Sequence, residues 1–152
     1  MSVEVVAMLQ SLVFAQGLEP ADLERLAASA RATTWKTEQT IFREGERDDF
    51  LYLVLEGLVA LDIQVPPRGR VRILTVGPGE LFGWSSVYDP KPKTAAATTM
   101  EPTRALALEA ARLREWSEAD PRFGYWLTRR LLQVISERLQ ATRIQLLDVF
   151  KS

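Results

Sequence analysis

The chain has 152 residues, enough for one domain with a core of useful size, and its 19 Lys and Arg against 20 Asp and Glu leave a net charge of -1. That balance gives no general pull toward nucleic acid or anionic membrane. There is no Cys and no His, which excludes disulfides, thiolate nucleophiles, Cys- or His-held metals and clusters, and every triad built on imidazole.

The first residues, MSVEVVAMLQSLVFAQG, lack a basic start, and Glu4 and Gln10 interrupt their apolar stretch. They do not read as a signal peptide. No run of about 18 apolar residues predicts a membrane span, and a cytoplasmic chain is expected. Residues 5–12 and 20–31 predict short helices, the second with Pro20 in its first turn and Leu23, Leu26 and Ala27 at helical spacing.

From about Thr33 to Leu108 the chain becomes short β-type runs broken by turn residues. The runs are Ile41-Phe42, Phe50–Leu55, Leu58–Val65, Val71–Val76 and Arg104–Leu108. The breaks are Glu44-Gly45, Glu56-Gly57, Pro66-Pro67-Arg68-Gly69 and Gly77-Pro78-Gly79. Such spacing predicts an antiparallel sandwich or small jelly roll, since parallel strands would need longer crossovers. Gly45 and Gly57 read as turn glycines. The acidic cluster Glu44, Glu46, Asp48 and Asp49 reads as a solvated loop. Residues 109–118 predict a helix. Asp120 then caps a longer one, with Pro121 at its first position, that can run to Phe150, ~45 Å at ~1.5 Å per residue.

On that helix Leu132, Ile135, Leu139, Thr142, Leu146 and Val149 are spaced three and four apart, a heptad seam with one polar position. Leu127, Leu131 and Val134 form a second stripe. Two stripes give two things to bury against, one on the same domain and one on the same helix of a second copy, so a two-fold homodimer is expected.

Thr40-Ile41-Phe42-Arg43-Glu44-Gly45-Glu46, Leu51-Tyr52-Leu53-Val54-Leu55-Glu56-Gly57 and Val76-Gly77-Pro78-Gly79-Glu80-Leu81-Phe82-Gly83 together resemble the cyclic-nucleotide-binding domain of the catabolite activator protein family. The resemblance runs from about Leu12 to Leu147. It implies an α+β fold: a small antiparallel β jelly roll, or double-stranded β-helix, with short N-terminal helices and a long C-terminal helix. One domain over residues 1–152 is expected, with helices in 5–31, the jelly roll in 33–108 and C-terminal helices in 109–150.

The family's phosphate-binding cassette is altered here. Where the pattern has Phe-Gly-Glu, a short helix and Arg-Thr/Ser-Ala, this chain has Phe82-Gly83-Trp84-Ser85-Ser86 and then Lys93-Thr94-Ala95. An indole cannot accept the ribose hydroxyl that the Glu would. Lys93 keeps the Arg charge but loses its fork. Gly83 to Ser86 would open a short helix whose amides face a phosphate. Ser85, Ser86 and Thr94 would add hydroxyls. Thr142 matches the family's adenine-contacting Thr, and Arg143 beside it could stack, pair with phosphate or block the pocket.

The expected function is a regulatory module, not an enzyme. It would bind a cyclic nucleotide weakly, or another phosphate-bearing ligand, through Gly83, Trp84, Ser85, Ser86, Lys93, Thr94, Thr142 and Arg143, and signal through its dimer helix. The alternative is a ligand-free adaptor whose pocket Trp84 fills, docking a protein partner that the sequence does not name. No metal or resident cofactor is expected. The chain reaches Ser152 without a helix-turn-helix segment, so direct DNA binding is not expected either.

Overall fold

Two four-stranded antiparallel sheets enclose an aromatic core in the computed structural model, which describes residues 2–89 and 91–150. The strands are β1 (Ala30–Trp35), β2 (Thr40–Phe42), β3 (Phe50–Glu56), β4 (Val59–Val65), β5 (Gly69–Val76), β6 (Leu81–Phe82), β7 (Ala96–Thr99) and β8 (Thr103–Glu109). One sheet has the order β1-β8-β3-β6 and the other β2-β7-β4-β5. The helices are α1 (Ser2–Gln10), α2 (Pro20–Ser29), α3 (Ser85–Tyr88), α4 (Ala110–Ala119) and α5 (Pro121–Val149), with a 3-10 turn at Val13–Ala15.

Several expected bounds shift. The helix expected over 20–31 ends at Ser29, and the first strand begins at Ala30, before the expected 33. Ala30 and Arg31 suit a helix, but pairing with Leu108 and Ala107 gives their backbone groups partners in β8. β6 and β7 also lie outside the expected runs.

Phe42, Tyr52, Val54, Val59, Val76, Phe82, Ala97 and Ala107 meet between the sheets. Tyr52 and Phe82 stack with centroids 4.6 Å apart and planes 10° from parallel. Leu51 to Val54 are all buried, so β3 is covered on both faces and shows no alternation. Gly45 and Gly57 hold φ of +86° and +99°, the left-handed turns expected of them.

The chain divides into two compact units, one reaching Glu115 and one starting at Trp116. In the second, Asp120 accepts the Phe123 N–H at 3.4 Å and caps α5, with Pro121 in the first turn. Gly124 lets that turn come close to α4: a Cβ there would lie 2.7 Å from the Ser117 carbonyl oxygen. Phe123 stands between Trp116 and Trp126. Leu127 and Leu131 are buried, whereas Leu132, Leu139, Leu146 and Val149 of the seam are at least half exposed. No helix among the described residues is long and apolar enough to cross a membrane.

Candidate functional site

β6 pairs with β3 through Tyr52–Phe82 and Leu53–Leu81, which sets Gly83 over the start of β3. Gly83 has φ of +80°, and a Cβ there would lie 2.7 Å from the Phe50 carbonyl oxygen and 3.3 Å from the Tyr52 ring. A residue with a side chain would be strained twice over at this position. The chain turns there into Trp84 and the single turn of α3.

Lys93 is not the solvated lysine that its neighbour Lys91 suggests. It is 5% exposed. Its backbone is fixed on both sides: its N–H donates to Glu46 O at 2.8 Å, and its carbonyl accepts from Gly45 N–H at 2.7 Å. Its ammonium donates to Ser86 Oγ at 2.7 Å and to Ser85 Oγ at 3.4 Å, and lies 5.0 Å from the centroid of the Phe42 ring. Among the described residues no carboxylate is within ion-pair distance of it. Burial lowers the Lys93 pKa, against the raising effect of the Asp48 and Asp49 charges.

Ser86 is the buried centre of this group. Its hydroxyl donates to the Asp48 carbonyl at 2.6 Å while accepting from Lys93. Its own carbonyl accepts from Arg114 Nη1, which also reaches Asp49 Oδ1 at 3.2 Å. The Asp48 carboxylate takes the Tyr52 hydroxyl at 2.8 Å and the Phe50 N–H at 3.2 Å. Burial raises the Asp48 pKa, and the Tyr52 bond is the largest effect opposing it. Tyr52 is raised as well, by burial first and then by the Asp48 charge. Asp48 therefore departs from the solvated loop expected of it, while Glu44, Glu46 and Asp49 are exposed. A cavity of about 240 Å³ beside them is lined by Arg47, Asp48, Asp49 and Lys91.

Of the cassette amides, that of Ser86 is engaged within the turn: its N–H donates to Gly83 O at 3.2 Å, and the following Val87 N–H donates to Trp84 O at 3.1 Å. Around Lys93 the site offers an ammonium and hydroxyls. Trp84 is half-buried and takes no part in the ring contacts of the core. Thr94 is exposed. Thr142 and Arg143 are exposed on α5 in the second unit, where Thr142 Oγ1 donates to the Arg138 carbonyl of its own helix at 2.8 Å. The structure thus brings together Gly83, Ser85, Ser86 and Lys93. It adds Tyr52 and Arg114, to which sequence reasoning gave no role at the site, and Asp48, which it read as solvated. Among the described residues no group of His, Cys, Asp and Glu is placed to hold a metal ion.

Comparison with known proteins agrees with the fold. The family model for the cyclic nucleotide-binding domain matches residues 32–120. A CRP-like cAMP-activated global transcriptional regulator of Mycobacterium tuberculosis is 34% identical over 135 residues, which is 88% of this chain and 58% of that protein. The chain therefore spans little more than half the length of this relative. The expectation of no direct DNA contact finds no support in a relative described as a transcriptional regulator. The N-terminal domain of a transcriptional regulator from Streptomyces coelicolor superposes with a TM-score of 0.70 at 31% identity, covering 88% of this chain and 94% of that one. A cyclic nucleotide-binding domain from Methylobacillus flagellatus shares the fold with a TM-score of 0.81 at 22% identity, covering 97% of this chain and 83% of that one.

Proposed function

The chain belongs to the cyclic nucleotide-binding domain family, and from that premise we propose that it is a regulatory module that takes a phosphate-bearing ligand on Lys93. The ligand is a cyclic nucleotide held weakly, or another small phosphate compound. The observation that carries this reading is the buried Lys93 ammonium with hydroxyl partners and, among the described residues, no carboxylate in ion-pair distance. A buried charge is costly unless it is paired. An anionic oxygen at Nζ supplies the missing partner, and the 3.4 Å contact to Ser85 is the one it displaces most easily.

Trp84 is half-buried and lies outside the core ring contacts, so it is not packed as a core aromatic, and its indole is the group on which a base would stack. The output runs through a homodimer in which the seam from Leu132 to Val149 meets its own copy. Response requires a ligand that prefers one helix arrangement over another.

Calorimetric titration with cyclic AMP, cyclic GMP and cyclic dinucleotides tests the reading. Binding by one of them is expected, and Lys93→Ala should weaken it roughly 10- to 150-fold, the equivalent of one charge-assisted bond of about 1.5–3 kcal/mol. Silence across the panel at millimolar ligand, or equal affinity in the variant, would overturn it.

A further inference from the structure

We propose that Ser86 is a four-way junction between the ligand site and α4, read out through Arg114, and that an anion on Lys93 opens this junction. The inference rests on Lys93 being the group that meets the ligand.

Every polar group of Ser86 is committed, each to a different part of the first unit. The N–H holds Gly83 at 3.2 Å, and the hydroxyl holds the Asp48 carbonyl at 2.6 Å. The same oxygen takes the Lys93 ammonium at 2.7 Å, and the carbonyl takes Arg114. At 2% exposure, Ser86 has little access to water that could replace a lost partner.

Two further bonds anchor the start of α4 elsewhere: Ala110 N–H donates to Asp49 O at 3.0 Å and Arg112 Nη1 to Ala28 O at 3.0 Å. Arg114 bonds α4 to the cassette, and one of its nitrogens serves both Ser86 and Asp49.

The direction of the effect follows from competition for one ammonium. A hydroxyl that receives a bond from a cation becomes a better donor, so Lys93 strengthens the grip of Ser86 on Asp48. Nζ has three hydrogens, and a neutral hydroxyl is a weaker acceptor than a phosphate oxygen. An anion that draws the ammonium toward itself takes it first from Ser85, at 3.4 Å, and then from Ser86, at 2.7 Å. The serine loses its charged donor, the turn of α3 loosens, and the carbonyl that Arg114 grips is no longer held in place. Ligand and junction are thus antagonists, and α4 is freed when the site fills.

Amide hydrogen exchange on the full chain tests this without a known ligand. Lys93→Met removes the ammonium and keeps an apolar stem. It should speed exchange of the 85–89 and 110–115 amides by roughly tenfold or more, the loss of one charge-assisted bond. Adding Arg114→Gln should abolish the increment that Lys93→Met causes in α4 and keep the increment in 85–89. Faster exchange in 85–89 with α4 unchanged overturns the proposal, and so does no change in either segment. Should Lys93→Met fail to melt cooperatively, Ser86→Ala is read by the same outcomes.

Millimolar cyclic AMP on the native chain should reproduce the Lys93→Met pattern. Calorimetric binding with α4 slowed instead reverses the stated direction and overturns it. A chain that binds no cyclic nucleotide overturns the ligand reading alone, and the Lys93→Met comparison still decides the junction.

Discussion

Replacing Gly83 by Ala separates two costs that usually come together. At φ of +80° a residue with a Cβ is strained by about 1–2 kcal/mol. The Cβ would also stand 2.7 Å from the Phe50 carbonyl oxygen, a backbone atom that moves only if β3 moves with it. Overpacking of that kind costs about 1–3 kcal/mol. Gly79 is the internal control, because it has φ of +83° and a Cβ there meets nothing within 4 Å. Gly79→Ala therefore carries the backbone cost alone. At about 2–4 °C per kcal/mol for a chain of this size, Gly83→Ala should lower Tm by about 4–20 °C and Gly79→Ala by about 2–8 °C. Calorimetric melts of both variants give the comparison. Equal losses would refute the claim that the cassette is seated against β3 as described.

Tyr52→Phe removes the shortest bond to the Asp48 carboxylate and should cost about 1–2 kcal/mol in chemical denaturation. It should also raise the Asp48 pKa further in a carboxyl NMR titration, since that bond is the main effect opposing burial. Burial lowers the Lys93 pKa, so between that lowered value and the ordinary lysine range the unfolded chain binds more protons, and this group adds stability as pH rises. The Tm difference, native chain minus Lys93→Met, should climb from neutral pH toward the ordinary lysine range; a flat plot contradicts it. Asp120→Ala removes the α5 cap and should cost about 1 kcal/mol, about 2–4 °C in Tm. Leu139→Asp should yield monomers by light scattering, and an unchanged dimer would refute the seam.

Turn chemistry made most of the jelly roll readable. Gly45, Gly57 and Gly79 all adopt the positive φ that punctuates strands, and Asp120-Pro121 marks the start of α5 where expected. The strands that escaped notice are those whose own residues say little. β7 is Ala-Ala-Thr-Thr and exists because β2 and β4 flank it; β6 is two residues long and carries no period. The site was legible in outline. Trp84 and Lys93 stand out in the sequence as departures from a pattern, but burial of Lys93 depends on its pairing with residues 45 and 46. Arg114 lies 28 positions from Ser86, in a helix with several arginines, and no spacing rule points from one to the other. Asp48 looks like any loop carboxylate until Tyr52, two strand positions into β3, is seen to turn its hydroxyl back onto it.

The end of α5 sets a condition on how the protein is handled. Every residue from Leu139 to Phe150 is exposed, among them Ile144, Leu147 and Phe150. Twelve residues with so little cover have the staying power of a free peptide, which at that length is marginal in water. This stretch frays first, and its fraying is set by what lies against it and not by the strength of the sheets. Helix content then becomes a property of concentration: a dilute sample should show a weaker helical circular dichroism signal than a concentrated one with the same intact jelly roll.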